Sequence, residues 1–128
     1  MAEISVVIPF YNRISWLMSA IKSVQEQTFK DFEIILIDDG STENTSCIFE
    51  LDDARIKYFK QQNKGASAAR NLGIEKSTSK YIAFLDADDI FLPDKLEVQL
   101  QFFNEHKDAS MVHTSYIRAN EDLEALET

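Results

Sequence analysis

The run Asp86-Ala87-Asp88, with Asp89 after it, follows directly on an apolar stretch at 81–85. Carboxylates two positions apart can face one cation if the chain turns there, and the small Ala87 lets the backbone come close. Hard oxygen donors suit Mg²⁺ or Mn²⁺, which often pair one or two carboxylates with substrate phosphate oxygens. Such a cation would also resolve a conflict, because the formal net charge is −9 and repels phosphorylated ligands. The same charge argues against nucleic acid as a non-specific partner. The plainer reading is a solvated acidic loop in which Asp89, close ahead of Pro93, caps the next helix.

Two other loops offer complementary chemistry. Pro9-Phe10-Tyr11-Asn12 follows an apolar run, and Tyr11 can lay its ring on a base. Asp38-Asp39-Gly40 closes a second run, where Asp39 can accept from a base N–H or a ribose hydroxyl. The alternatives are an ordinary turn for the aspartates and a half-buried aromatic for Tyr11. Asn63-Lys64-Gly65-Ala66-Ser67 opens a helix whose backbone N–H groups could face an anion. Arg70, one turn in, reaches either a phosphate or an acid of the cluster. His106 and His113 have no partner at zinc-ligand spacing, and Trp16 is read as packing beside the first helix. No dinucleotide glycine motif or Walker lysine motif is present. The single Cys47 allows no internal disulfide and fits a reducing compartment.

The elements that must position these groups follow from periodicity. Residues 4–8 are an apolar, β-branched run stopped by Pro9, which predicts a buried strand. From Ser15 the spacing of Leu17, Ala20, Ile21, Val24 and Phe29 predicts a helix, capped by Asn12 or Ser15. A second strand is expected at 32–37, then a short helix carrying Cys47, Ile48 and Leu51 and capped by Ser41 or Thr42. A third strand is expected at 56–59, a helix at 65–75 despite Gly73, and a fourth strand at 81–85. Pro93 suits the first turn of a helix bearing Leu96, Leu100 and Phe103. A last strand is expected at 110–117, followed by an acidic, frayed tail at 120–128.

Strands alternating with helices, several apolar on both faces, predict a parallel sheet covered on both sides, the α/β class. In such sheets ligands collect outside the carboxyl ends of the strands, where all three loops emerge. The chain suits one domain, at 1–119, with the tail after it. Without a secretory leader or an apolar run near the ~20 residues of a membrane span, it reads as cytoplasmic.

Taken together, PFYNR, QTFKDFEIILIDDGST, NKGASAARNLGI and YIAFLDADDIFLPDKLE occur in an order and spacing that closely resembles the family 2 glycosyltransferases. The resemblance covers nearly the whole chain. It implies the GT-A fold, a Rossmann-like three-layer α/β/α arrangement with a mainly parallel sheet, here truncated before the acceptor half. It implies inverting transfer of a sugar, of the hexosyltransferase type, from a nucleotide-sugar (UDP-linked by expectation) to an acceptor hydroxyl on a glycan or lipid-linked acceptor. The setting it suggests is bacterial cell-surface polysaccharide synthesis, at the inner face of the plasma membrane. By the same resemblance, residues 9–12 contact the base, Asp39 hydrogen-bonds it, and Asn63 and Arg70 lie near the nucleotide. Asp86-Ala87-Asp88 resembles the DxD motif: Asp88 holds Mn²⁺ or Mg²⁺ on the diphosphate, and Asp86 lies nearer the nucleotide or assists, directly or through water. The catalytic base is expected beyond residue 128, and none is assigned to Glu121, Asp122 or Glu124.

Two other classes compete. A phosphatase of the Asp-x-Asp type also places its nucleophile after an apolar strand, but that signature wants Thr or Val where this chain has Ile90. A binding or regulatory module would keep the fold and transfer nothing.

Overall fold

The structure, a computed structural model, describes residues 2–112, 118–119 and 125–127. Its centre is a parallel sheet of β1 (Ile4–Phe10), β2 (Phe32–Asp38), β3 (Ile56–Lys60) and β4 (Tyr81–Phe84), in the order β3-β2-β1-β4. Parallel neighbours need crossover connections. Here these are α1 (Ile14–Gln25), α2 (Ser46–Phe49) and α3 (Ala66–Lys76), with α4 (Lys95–Glu105) following β4. A separate antiparallel pair joins β5 (Arg118–Ala119) to β6 (Ala125–Glu127).

Strands β1 and β2 are buried along their whole length and pair in register from Ile4 with Phe32 to Phe10 with Asp38. Their alternation sorts the core into two layers. Val6, Ile8, Ile34 and Leu36 face one side with Leu17, Ile21 and Val24 of α1 and Leu96 of α4. Val7, Ile35 and Ile37 face the other, beneath Ala69 and Leu72 of α3. Gly73 explains how α3 comes so close: a Cβ there would lie 2.2 Å from a Val7 methyl. A residue that weakens an isolated helix is required by the packing.

Several local expectations are corrected. Pro9 does not stop β1, which runs to Phe10. The Val7 carbonyl accepts from Leu85 N, so Pro9, two residues on, faces the same flank beyond the last β4 pair at Val7–Phe84. Its missing N–H is not needed there. Helix α1 ends at Gln25, and Phe29 packs on the core from the loop that follows. Neither Asn12 nor Ser15 caps α1, because Arg13 is its N-cap, and Thr45 rather than Ser41 or Thr42 precedes α2. Asp89 does not cap α4; Asp94 occupies that place, without a side-chain hydrogen bond, and Pro93 lies in the turn before. Strand β4 ends at Phe84, one residue short of the expected end, while Leu85 remains buried. Of the strand expected at 110–117, residues 110–112 belong to no strand, and 113–117 lie outside the described residues, as do Glu121, Asp122 and Glu124. Within 120–128, Ala125–Glu127 form a strand rather than a frayed end.

The segment between β4 and α4 is tied down by α1 and the residues after it. Fully buried Gln27 donates to the carbonyls of Ser23 and Leu92, at 3.1 and 2.6 Å, and accepts from Leu96 N at 3.0 Å. The Ser23 hydroxyl accepts from Phe91 N, and Thr28 N donates to the Pro93 carbonyl. No helix among the described residues is long and apolar enough to cross a membrane.

Candidate functional site

The chain runs outward from β1 to β2 to β3, then returns to place β4 on the other side of β1. The order reverses between β1 and β4, and a parallel sheet opens a crevice at the carboxyl end of that junction. A cavity of about 350 Å³ lies there, lined by Pro9, Phe10, Tyr11, Asn12, Arg13, Trp16, Asp39, Ala66, Ala69, Arg70, Asp86, Ala87 and Asp88. Five elements thus meet at one opening: the loops after β1, β2 and β4, the first turn of α1 and the first turns of α3.

The loop after β1 is held in an uncommon shape. Asn12 and Arg13 both have positive φ, 54° and 51°, which costs a side-chain-bearing residue energy unless its surroundings impose it. The loop after β2 imposes it. Ser41 Oγ accepts from Asn12 N at 2.7 Å, and Asn12 Oδ1 accepts from Thr42 N and Glu43 N. The Glu43 carboxylate accepts from Arg13 N at 3.0 Å and Ile14 N at 3.4 Å, satisfying the open end of α1 from thirty residues away. Both lone pairs of the Asn12 amide oxygen are therefore engaged by the protein. Tyr11 emerges just before this knot with its ring 46% exposed.

Asp38 and Asp39 are buried, and both are engaged by the protein. Asp38 accepts from Ser41 N at 2.7 Å and from the Tyr58 hydroxyl. Burial, then the negative Asp38 acceptor, hold the Tyr58 phenol above its ordinary range. Asp39 Oδ1 accepts from Gln61 Nε2 and Lys64 N, both at 2.8 Å, and Oδ2 from Gly65 N at 3.0 Å. Burial pushes the Asp39 carboxyl up, but these three donors outweigh it and leave the group below the usual carboxylate range. The backbone N–H groups of Lys64 and Gly65, read from sequence as open to an anion, are taken by Asp39. Oδ2 accepts from one donor of the two it can take, and Asp39 is among the residues that line the cavity.

After β4 the pattern reverses. Asp86, Asp88 and Asp89 are exposed, and each can offer one carboxylate oxygen such that all lie within 4.8 Å of one another. Burial and the neighbouring charges of Asp88 and Asp86 raise the Asp89 carboxyl, against a smaller opposing effect from Lys95. Asp86 is paired with the Arg70 guanidinium at 2.9 Å. Three converging hard-oxygen donors with incompletely offset charge fit Mg²⁺ or Mn²⁺.

Of the residues singled out from sequence, the cavity brings together Pro9, Phe10, Tyr11, Asn12, Asp39, Arg70, Asp86, Ala87 and Asp88. Asn63 is exposed and not among its lining residues. Arg13, Trp16, Ala66 and Ala69 line it without having been singled out as ligand contacts. The small residues at 66 and 69, one helical turn apart on an exposed helix start, were the available signal for the last two.

Comparison with known proteins agrees with this arrangement. The family model described as Glycosyl transferase family 2 matches residues 5–127. An uncharacterized glycosyltransferase of Rickettsia conorii is 52% identical over 98% of the chain, which covers 21% of that protein. A GalNAc(5)-diNAcBac-PP-undecaprenol beta-1,3-glucosyltransferase of Campylobacter jejuni is 41% identical over 82% of the chain and 36% of its own length. Among solved structures, S. aureus TarS 1-349 in complex with UDP-GlcNAc superposes with a TM-score of 0.76 at 24% identity, covering 91% of this chain and 38% of that one. The mannosyltransferase PcManGT of Pyrobaculum calidifontis, in complex with GDP-Man and Mn²⁺, gives 0.72 at 19% identity, covering 80% and 32%. The chain spans about a fifth of the length of the glycosyltransferases it matches in Rickettsia conorii, Rickettsia bellii and Rickettsia felis. On this sheet order, cavity and family match, the chain belongs to glycosyltransferase family 2 and has the GT-A fold.

Proposed function

We propose that this chain, through its domain at 1–119, is the donor-binding part of an inverting glycosyltransferase that takes a sugar from a nucleoside diphosphate, with UDP as the expected carrier. The observation that carries the reading is the convergence of Tyr11, Asp39 and Asp86–Asp88 on one cavity. The exposed Tyr11 ring offers a face to a base, and the remaining lone pair of Asp39 an acceptor for a base N–H or ribose hydroxyl. Pro9, Phe10, Ala66 and Ala69 give the cavity close backbone approach. Asn12, whose amide oxygen is spent on Thr42 and Glu43, shapes the loop. Arg70 orients Asp86, and Asn63 would reach the nucleotide only from outside the lining set.

Asp88, with Asp86 beside it, would hold Mn²⁺ or Mg²⁺, which when bound offsets the charge of the departing nucleoside diphosphate. The relatives support the parts of this reading: one structure is a complex with UDP-GlcNAc, another a complex with GDP-Man and Mn²⁺, and a curated relative is named as a glucosyltransferase for an undecaprenol-linked glycan. By the same reasoning the acceptor is a glycan or lipid-linked hydroxyl, the setting is cytoplasmic at the inner face of the plasma membrane, and the base lies beyond residue 128. A screen of nucleotide-sugars by thermal shift, with and without Mn²⁺, tests the proposal. One UDP-sugar should raise the melting temperature in a metal-dependent way, and no shift with any nucleotide-sugar would contradict it.

A further inference from the structure

The cavity wall contains two guanidiniums, and they are not equivalent. Arg70 is committed to Asp86 at 2.9 Å. Arg13 has no carboxylate partner for its side chain among the described residues; its guanidinium carbon lies over the Trp16 ring, 4.9 Å from the centroid. Its placement is costly on two counts: the residue sits at positive φ, and it lies at the N-terminal end of α1, where a cation opposes the helix dipole. The backbone hydrogen bonds of Glu43 and the knot around Asn12 hold it there nonetheless.

We infer that Arg13, held over the Trp16 ring, binds the phosphate oxygens of a nucleoside diphosphate in this cavity, and that Trp16 is the residue that positions it. This rests on the donor reading above and adds to it two residues and their roles. A diphosphate approaching a chain of net charge −9, past Asp39, Asp86 and Asp88, needs cationic donors. A guanidinium presents N–H groups in a fixed planar fork that matches phosphate oxygens. Contact with the indole face restricts the side chain, so less entropy is lost on binding. Trp16 is 38% exposed and three residues along α1 from Arg13, the spacing that puts two side chains on one helix face.

The test separates phosphate from nucleoside. Calorimetric affinities for UDP and uridine are measured with Mn²⁺ present, for the wild-type chain and for Arg13→Ala, Arg13→Lys, Trp16→Phe and Trp16→Ala. Arg13→Ala should weaken UDP about tenfold and uridine less than about twofold, since a charge-assisted bond to phosphate is lost. Arg13→Lys keeps charge without the planar fork and should fall between. Trp16→Ala should repeat the UDP-selective loss and Trp16→Phe restore it. Trp16 is the sole tryptophan, so its fluorescence should also respond to UDP in the wild-type chain. Equal loss of UDP and uridine in Arg13→Ala, or no loss, overturns the role of Arg13. Identical behaviour of Trp16→Phe and Trp16→Ala overturns that of Trp16. Failure of the wild-type chain to bind UDP overturns the donor reading itself.

Discussion

After β2 the chain reads Asp38-Asp39-Gly40-Ser41, and after β4 it reads Asp86-Ala87-Asp88-Asp89, so two acidic turns leave the same edge of one sheet. In the first, both carboxylates are buried and together accept five hydrogen bonds from Ser41, Tyr58, Gln61, Lys64 and Gly65. In the second, three exposed carboxylates crowd together, with Asp86 paired to Arg70. The difference lies in the neighbours. β2 is flanked by β3 and the 61–65 loop, which bring backbone donors to Asp39 and the Tyr58 hydroxyl to Asp38. β4 is an edge strand, and the loop after it faces the opening. One turn spends its charge on holding two loops in place; the other leaves its charge available to a ligand.

The largest effect expected from this contrast is on stability. Asp38→Ala leaves the Ser41 N–H and the Tyr58 hydroxyl without their buried acceptor and should lower the unfolding free energy by about 3 kcal/mol. Asp88→Ala, at an exposed position, should stay within about 0.5 kcal/mol of wild type. Urea denaturation of the two variants side by side measures both; comparable losses would erase the distinction.

A smaller effect, with a defined sign, concerns acid. The hydrogen bonds from Arg55 hold Asp53 well below the usual carboxylate range, and Asp39 is held low by its three donors. Groups with depressed folded values bind fewer protons folded than unfolded. Their stabilisation is full above an unfolded value of about 4 and is lost as pH falls through the folded values. The urea midpoint should therefore drop as pH is lowered from about 5 to 2, by on the order of 1 kcal/mol or more in stability. Asp39→Asn should flatten that dependence.

The four sheet strands and their loops were legible because β1 and β2 are apolar on both faces and each strand ends in polar residues of distinct chemistry. The carboxyl-edge placement of Tyr11, Asp39 and Asp86–Asp88 followed from that pattern. What stayed hidden was set by partners far along the chain. Glu43 closes the start of α1, so the search for a cap among Asn12 and Ser15 failed. Asp39 is satisfied from residues 22 to 26 positions away, so its structural work resembled an idle turn. Gly73 weakens α3 locally yet lets it lie on Val7. From sequence, Trp16 reads as packing beside the first helix and Arg13 is not singled out, because nothing local says that a cavity opens beside them.

The most direct test of the contrast between the two turns is calorimetric titration of UDP into the wild-type and Asp88→Ala chains, each with and without Mn²⁺. Wild type should bind UDP more tightly with the metal, by about tenfold or more. Asp88→Ala should lose that metal dependence while remaining folded. Metal-dependent binding of equal strength in both chains would contradict the assignment of the exposed acidic turn as the cation-holding part of the site.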